Sequence, residues 1–227
     1  MLIRKLIIGT VLEIIIFGAL LFIPAETLAW WRAWVLLAVF LAAAVVAAVD
    51  LFHGHEDLLN ERLKPVLQKG QPLADKIIII LLLVAFLGMM VLIPLDRFHW
   101  HLLGRPGTIV SATGLIMFAG GWWIMYLAMK ENPFASPVVK HLQERRQRVI
   151  DTGVYGLVRH PMYAGAIPFF LGMPLWLESY AAALLACVPC GILVVRIHIE
   201  EQFLRQELEG YAAYMERVRY RLIPLIW

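Results

Sequence analysis

The chain has 227 residues, of which 61% are hydrophobic and 16% are charged, and its mean hydropathy is +0.76. This composition excludes an ordinary soluble protein, because apolar runs of about 18 or more residues are typical of membrane spans. The net charge of +3 is small, so nucleic-acid binding is not expected.

Six apolar segments follow one another along the chain. Hydrocarbon offers no partner for an exposed backbone amide, so each segment must be helical. We therefore predict an all-α, polytopic membrane protein with about six transmembrane helices. The predicted spans cover residues 6–23, 31–49, 77–95, 108–129, 161–177 and 179–195. The last two are short and form a hairpin that either spans the membrane or stops short of the far side.

Basic residues are distributed unevenly between the segments that join these spans. Of the 20 lysines and arginines, all but Arg32, Arg97 and Arg105 fall on one side if the N-terminus is placed inside. Cytoplasmic segments are enriched in Lys and Arg. The bias therefore predicts that both termini are cytoplasmic.

The most distinctive polar stretch on this side is DTGVYGLVRHPMYAG, residues 151–165. Its first two glycines permit a tight turn. Pro161 suits the first turn of a helix, where its missing N–H costs nothing. We expect Arg159, His160 and Tyr163 to lie at the cytoplasmic mouth of the membrane helix that begins there.

A second polar stretch, RIHIEEQFL, leaves the last apolar segment and carries Arg196, Glu200 and Glu201. Arg196 and Glu200 are four residues apart and could simply pair on a solvated helix. A second interpretation is a site for S-adenosylmethionine, which needs an acidic group for its cations, a basic group for its carboxylate and aromatic walls for its adenine. Arg159 or Arg196 would then bind the carboxylate, and Tyr163 would provide an aromatic wall.

An ordered set of motifs makes the second interpretation specific. The set is G-x-Y…R-H-P-x-Y-x-G, then R-x-x-x-E-E-x-x-L, then Y-x-x-Y…R…P, between residues 132 and 224. It resembles the isoprenylcysteine carboxyl methyltransferase family and its phospholipid-methylating relatives, and residues 132–165 look like the bacterial branch. The resemblance implies an integral membrane methyltransferase that uses S-adenosyl-L-methionine, in a bacterial inner membrane.

The resemblance also implies an organisation of the chain. Residues 1–129 would form an N-terminal membrane region of four helices, and residues 130–227 a catalytic region with the helical hairpin and a cytoplasmic C-terminal helix. The cofactor pocket would lie on the cytoplasmic side, within the C-terminal half. A lipophilic acceptor would enter from the bilayer, between helices and among membrane lipids.

The resemblance also implies site residues, because the functional positions of the family motifs can be matched to positions of this sequence. The implied cofactor-binding residues are Tyr155, Arg159, His160, Pro161, Tyr163, Gly165, Glu200, Glu201, Tyr211 and Tyr214. Two residues are implied to be catalytic, namely Glu201, near both cofactor and acceptor, and Arg196, at the reaction centre.

One departure from the family concerns the acceptor. Eukaryotic members that methylate a prenylcysteine carboxylate carry a basic residue in the helix before the position of Asn132, and residues 108–129 have none. The acceptor therefore stays open among an isoprenylcysteine-like carboxylate, a lipid amine and a small thiol. A carboxylate needs no base and would be oriented by Arg196, whereas an amine or thiol would use Glu201 as a base.

Two other classes of function remain open. A sterol-type reductase has a similar membrane fold but would use NADPH. A non-enzymatic scaffold or transporter subunit is the other alternative. The one sequence feature that supports a transporter is Glu13, an acidic residue inside the first apolar run. Glu13 could equally make a polar interaction with a neighbouring helix. His53, His55 and Glu56 are metal-ligand types without further spaced ligands, so no metal site is expected.

Overall fold

The structure is a computed structural model that describes residues 2–52, 54–68, 70–138 and 147–227. The described part contains helices and no strand, which confirms the predicted all-α class. The helices are α1 (Leu2–Ala25), α2 (Trp31–Phe52), α3 (Glu56–Arg62), α4 (Leu73–Leu95), α5 (Thr108–Glu131), α6 (Pro161–Trp176), α7 (Tyr180–Leu185), α8 (Cys187–Glu207) and α9 (Tyr211–Arg217). A π-helical turn extends α4, and a 3-10 turn, Gly153–Gly156, precedes α6.

Five stretches of the described chain are long and apolar enough to cross a membrane. They are Leu2–Ala25, Trp31–Phe52, Leu73–Trp100, Thr108–Glu131 and Tyr180–Glu207, and each contains one of the predicted spans. The remaining predicted span corresponds to α6, which has only 16 residues. At 1.5 Å per residue it is about 24 Å long, shorter than a hydrocarbon core of about 30 Å. The first arm of the hairpin is therefore the short one.

The bundle has two polar ends, which we name by their residues. The distal end carries Arg32, Asp96 and Glu178, and the proximal end carries Arg159 and Glu201. The charge bias predicts that the proximal end is cytoplasmic, and this orientation stays a prediction.

At the distal end, a buried ion network fixes the turn of the hairpin. Glu178 pairs with Arg97 at 2.9 Å and with Arg32 at 3.4 Å. The hydroxyl of Ser179 donates to the buried carboxylate of Asp96 at 2.6 Å. These contacts hold the hairpin against α2 and the extension of α4. Arg32 and Arg97 therefore stabilise the fold.

Four glycines form a seam along which α5 and α6 pack closely. Gly114 and Gly121 of α5 face Gly172 and Gly165 of α6. A Cβ atom built on Gly114 would lie 2.6 Å from the backbone nitrogen of Trp176, and one on Gly165 would lie 2.5 Å from the carbonyl oxygen of Gly121. Small residues permit such close approach between membrane helices. The seam thereby sets the position of α6.

The C-terminal segment folds back onto the start of α6. The chain turns after α8 at Gly210, whose φ of +82° favours glycine. The amide of Arg159 donates to the carbonyl of Tyr220 at 2.9 Å, and the amide of His160 donates to that of Arg221 at 2.9 Å. The proximal end is therefore closed by the last residues of the chain.

Candidate active site

A cavity of about 390 Å³ opens at the proximal end. Its volume lies within the range of about 300–1,000 Å³ that is usual for small-molecule sites. The lining residues are of two chemical kinds. Glu200 and several tyrosines provide what we call the polar part, and apolar side chains of the membrane helices provide what we call the apolar part. The apolar lining includes Leu82 of α4, Met125 of α5, Phe170 of α6 and Leu193 of α8.

The 3-10 turn before α6 places Tyr155 in the cavity wall. Gly153 at the start of the turn has a φ of +53°, and a Cβ there would lie 2.6 Å from a carboxylate oxygen of Glu131. Tyr155 is buried and hydrogen-bonds to the side chain of Asn132. The hydroxyl of Tyr214 in turn donates to the carbonyl of Tyr155 at 2.8 Å. Burial raises the pKa of both tyrosines, so both remain neutral hydrogen-bonding groups.

The start of α6 follows directly from its sequence. Pro161 is the first helical residue, as predicted, and His160 precedes it as the N-cap. The ring of His160 stacks on that of Tyr163, with centroids 5.6 Å apart and planes 12° apart. All three residues line the cavity. The predicted position of this motif at the mouth of the helix is therefore the observed one.

Glu201 forms the centre of a buried ionic network. Its carboxylate lies 2.7 Å from Arg159 Nε, 3.0 Å from Arg221 Nε and 3.2 Å from His160 Nε2. A buried carboxylate requires such partners, because unpaired charge is costly to desolvate. The network joins α8, the start of α6 and the C-terminal segment. Glu201 does not line the cavity.

Arg159 makes backbone hydrogen bonds in addition to its ion pair with Glu201. Its guanidinium also donates to the carbonyls of Val218 and Arg219, at 2.7 and 2.8 Å. Arg159 is buried, and its bonds fasten the C-terminal segment to α8. Although Arg159 borders the cavity, its donors are largely occupied by the protein.

Glu200, the neighbour of Glu201, faces the cavity instead. The hydroxyl of Tyr163 donates to Glu200 Oε2 at 2.5 Å. Successive residues of a helix point about 100° apart, which explains why two adjacent carboxylates have different surroundings. Glu200 is therefore the acidic group that the cavity presents.

Arg196 lies on the same face of α8, one turn deeper. Its guanidinium is 5.8 Å from the ring centroid of Tyr163 and donates to the carbonyl of Pro137 at 2.7 Å. Asp75, at the start of α4, lies 3.3 Å from Arg196 Nε and accepts a hydrogen bond from Gln71. The sequence analysis missed Asp75. An acidic residue in the first turn of a membrane helix was the available signal.

Arg62, the last residue of α3, was also missed. It lines the cavity, and its Nη1 donates to the carbonyl of Ala135 at 3.1 Å. Burial lowers the pKa of its guanidinium. Glu13 of α1 interacts with Arg62 electrostatically, which favours the interpretation that Glu13 serves a neighbouring helix. The available signal was a basic residue in the segment that joins the second and third predicted spans.

The structure brings most of the predicted site residues together. Those lining the cavity are Tyr155, Arg159, His160, Pro161, Tyr163, Arg196, Glu200, Tyr211 and Tyr214. Gly165 does not line it and packs against Gly121, and Glu201 lies in the adjoining ionic network. Their roles in binding and catalysis stay predictions.

Two predictions concern residues that the structure does not cover. His53, considered as a metal ligand, and residues 139–146 of the family-like stretch lie outside the described residues. Elsewhere in the described chain, no group of three His, Cys, Asp or Glu side chains is placed to hold a metal ion.

Comparisons with known proteins found similarity to membrane methyltransferases over the part of the chain that forms this site. Residues 109–209 match the family model of phospholipid methyltransferases, and this segment includes α5, α6 and α8. The fold is similar to that of a eukaryotic intramembrane Ras methyltransferase, isoprenylcysteine carboxyl methyltransferase, with a TM-score of 0.50. That match is 19% identical and covers 93% of this chain and 74% of the other. The comparison with curated proteins found no match.

Proposed function

We propose that the chain is an integral membrane methyltransferase that uses S-adenosyl-L-methionine and a lipophilic acceptor, because residues 109–209 match the phospholipid methyltransferase family model. One observation carries the proposal. A single cavity joins a polar part at Glu200 and Tyr163 to an apolar part between membrane helices. Such a cavity suits a charged nucleoside on one side and a lipid-like acceptor on the other.

The residues of the polar part fit the proposed cofactor chemically. Glu200 offers a carboxylate to a cationic ligand, and its partner Tyr163 keeps it directed into the cavity. Tyr211 and Tyr214 offer aromatic walls for an adenine ring, and burial raises their pKa so that neither adds a competing negative charge. When bound, S-adenosylmethionine would supply an electrophilic sulfonium methyl group for transfer to a nucleophilic atom of the acceptor, with S-adenosylhomocysteine as the leaving group.

The apolar part would receive the acceptor from the bilayer. Leu82, Phe170 and Leu193 belong to three different membrane helices, α4, α6 and α8. Arg196 lines the same cavity and lies 5.8 Å from the ring centroid of Tyr163, and its guanidinium would orient an acceptor group. This arrangement suits an isoprenylcysteine-like carboxylate, a lipid amine or a small thiol, each attached to an apolar body.

Positioning would supply most of the catalysis. A displacement of this kind needs two reactants held in line and shielded from water. Arg159 and Glu201 act as positioning residues in this proposal, because their network holds His160 and the C-terminal segment in place. The base that the sequence predicts for an amine or thiol acceptor, Glu201, does not line the cavity and is held by Arg159 and Arg221, which argues against a direct proton transfer to it.

The charge bias supports a cytoplasmic site. Both termini and the polar part of the cavity would face the cytosol, from which the cofactor enters. The protein would lie in a bacterial inner (cytoplasmic) membrane, as the resemblance of residues 132–165 to the bacterial branch implies.

Transfer of a labelled methyl group tests the proposal. Membranes that contain the protein are incubated with S-adenosylmethionine labelled in its methyl group, and the lipid extract is counted. We expect label in the extract for the wild type and at least about 10-fold less for Glu200→Gln, because a charged hydrogen bond contributes about 1.5–3 kcal/mol. Equal label in membranes without the protein would contradict the proposed activity.

A further inference from the structure

Arg62 differs from the other buried or half-buried arginines of the site. Arg159 and Arg221 pair with Glu201, and Arg196 pairs with Asp75. Within the part of the chain that the structure describes, no carboxylate lies within 4 Å of the Arg62 guanidinium.

The guanidinium of Arg62 nevertheless lies in the cavity wall. A guanidinium has five N–H donors, and the carbonyl of Ala135 accepts one hydrogen bond from it. Glu13 is the acid that interacts with it electrostatically, from an exposed position on α1. Moving a charge from water into a protein without a close counter-charge is costly. An anion bound in the cavity would offset that cost.

The surroundings of Arg62 define where such an anion would lie. Arg62 interacts electrostatically with Tyr155 and Tyr163, and Glu200 interacts with the same two tyrosines. The cavity therefore presents a cation and an anion around one pair of tyrosines. Because Arg62 and Glu200 line the same cavity, an α-amino acid, which carries an ammonium and a carboxylate on one carbon atom, would offer a charged partner to each.

We infer that Arg62 binds the carboxylate at the amino-acid end of the cofactor, while Glu200 binds the ammonium group. This inference rests on the proposed function and deepens it. It replaces the expectation that Arg159 or Arg196 binds the carboxylate, because both of those arginines already pair with carboxylates of the protein. Arg62 comes from α3, outside the segment that matches the family model.

Calorimetry on two related nucleosides tests the inference on the full chain in detergent. S-Adenosylhomocysteine carries both the ammonium and the carboxylate, whereas its decarboxylated analogue keeps the ammonium on a 3-aminopropyl thioether. We expect the wild type to prefer S-adenosylhomocysteine by about 10- to 100-fold. In Arg62→Gln the preference disappears because only the carboxylate-bearing nucleoside loses affinity, and in Arg62→Lys part of the preference remains.

Arg205→Gln is the matched control, because it removes one positive charge from an exposed position of α8 at the same end of the bundle. It should keep the wild-type preference. Binding of the decarboxylated analogue to Arg62→Gln shows that this variant is folded. An unchanged preference in Arg62→Gln, or an equal loss of affinity for both nucleosides, overturns the inference.

The result for the wild type distinguishes a failure of this inference from a failure of the proposed function. If it binds both nucleosides with equal affinity, the carboxylate has no partner, and the inference fails while the proposed function stands. If it binds neither nucleoside, the proposed function fails and the inference fails with it.

Discussion

The hydroxyl of Tyr163 donates a hydrogen bond of 2.5 Å to Glu200 Oε2, joining the first turn of α6 to the last part of α8. The two residues lie 37 positions apart, on either side of the hairpin. Among the residues that the structure describes, Glu200 is the carboxylate that lines the cavity, and this bond directs it. The geometry of the polar part therefore depends on how α6 is placed.

Tyr163→Phe should weaken nucleoside binding without unfolding the protein. The variant keeps the ring that stacks on His160 and removes only the hydroxyl that directs Glu200. We expect about 3- to 10-fold lower affinity for S-adenosylhomocysteine, in line with a net contribution of about 1 kcal/mol. Tyr180→Phe, at the distal end, is the matched control for loss of a tyrosine hydroxyl. Wild-type affinity in Tyr163→Phe would show that the bond does not shape the site.

Glu201→Gln should lower stability more than Glu200→Gln does. Glu201 balances Arg159 and Arg221 in the buried network, and removal of one partner from a buried ion pair costs about 3–5 kcal/mol. Thermal unfolding in detergent, together with proteolysis of the C-terminal segment, measures the effect. We expect a lower Tm and faster cleavage after Arg217 or Arg219 in Glu201→Gln. If this variant unfolds like the wild type and only turnover is lost, Glu201 acts in the chemistry.

Gly165→Ala should separate α5 from α6. A Cβ at this position would meet the carbonyl of Gly121 at 2.5 Å, and overpacking of this kind costs about 1–3 kcal/mol. Gly120→Ala is the matched control, because nothing lies within 4 Å of its Cβ position and alanine favours the helix. We expect a lower Tm and weaker nucleoside binding only for Gly165→Ala. Weaker binding at an unchanged Tm would instead indicate that Gly165 contacts the cofactor directly.

Asp75→Asn should impair methyl transfer while nucleoside binding persists. The substitution removes the carboxylate next to Arg196, whose guanidinium is proposed to orient the acceptor. We expect at least 10-fold less methyl label in the lipid extract, with affinity for S-adenosylhomocysteine within about 2-fold of the wild type. An equal loss of affinity and of transfer would place Arg196 in the cofactor site instead.

Local sequence was sufficient for the parts of the site that depend on neighbouring residues. Pro161 and His160 could be placed at the start of a helix because proline's fixed φ and missing N–H act within a single turn. The apolar runs predicted about six membrane spans from length and composition alone, and in the structure five are long enough to cross a membrane while the sixth is the 16-residue α6. The family-like order of motifs then identified nine residues that line the cavity.

Residues that depend on distant partners could not be predicted in this way. Arg62 contacts Ala135, and Asp75 contacts Arg196, so each acquires its role only when separate helices meet. The glycine spacing in α5 and α6 is visible in the sequence, but the pairing of the two helices is not. The contrast between Glu200 and Glu201 depends on the rotation of α8, which two adjacent glutamates do not reveal.

Titration of S-adenosylhomocysteine and of NADPH into the detergent-purified protein tests the central claim most directly. We expect saturable binding of S-adenosylhomocysteine that is weakened by at least about 10-fold in Glu200→Gln, and no saturable binding of NADPH. Saturable binding of NADPH by a folded protein that does not bind S-adenosylhomocysteine would contradict the methyltransferase and indicate a reductase.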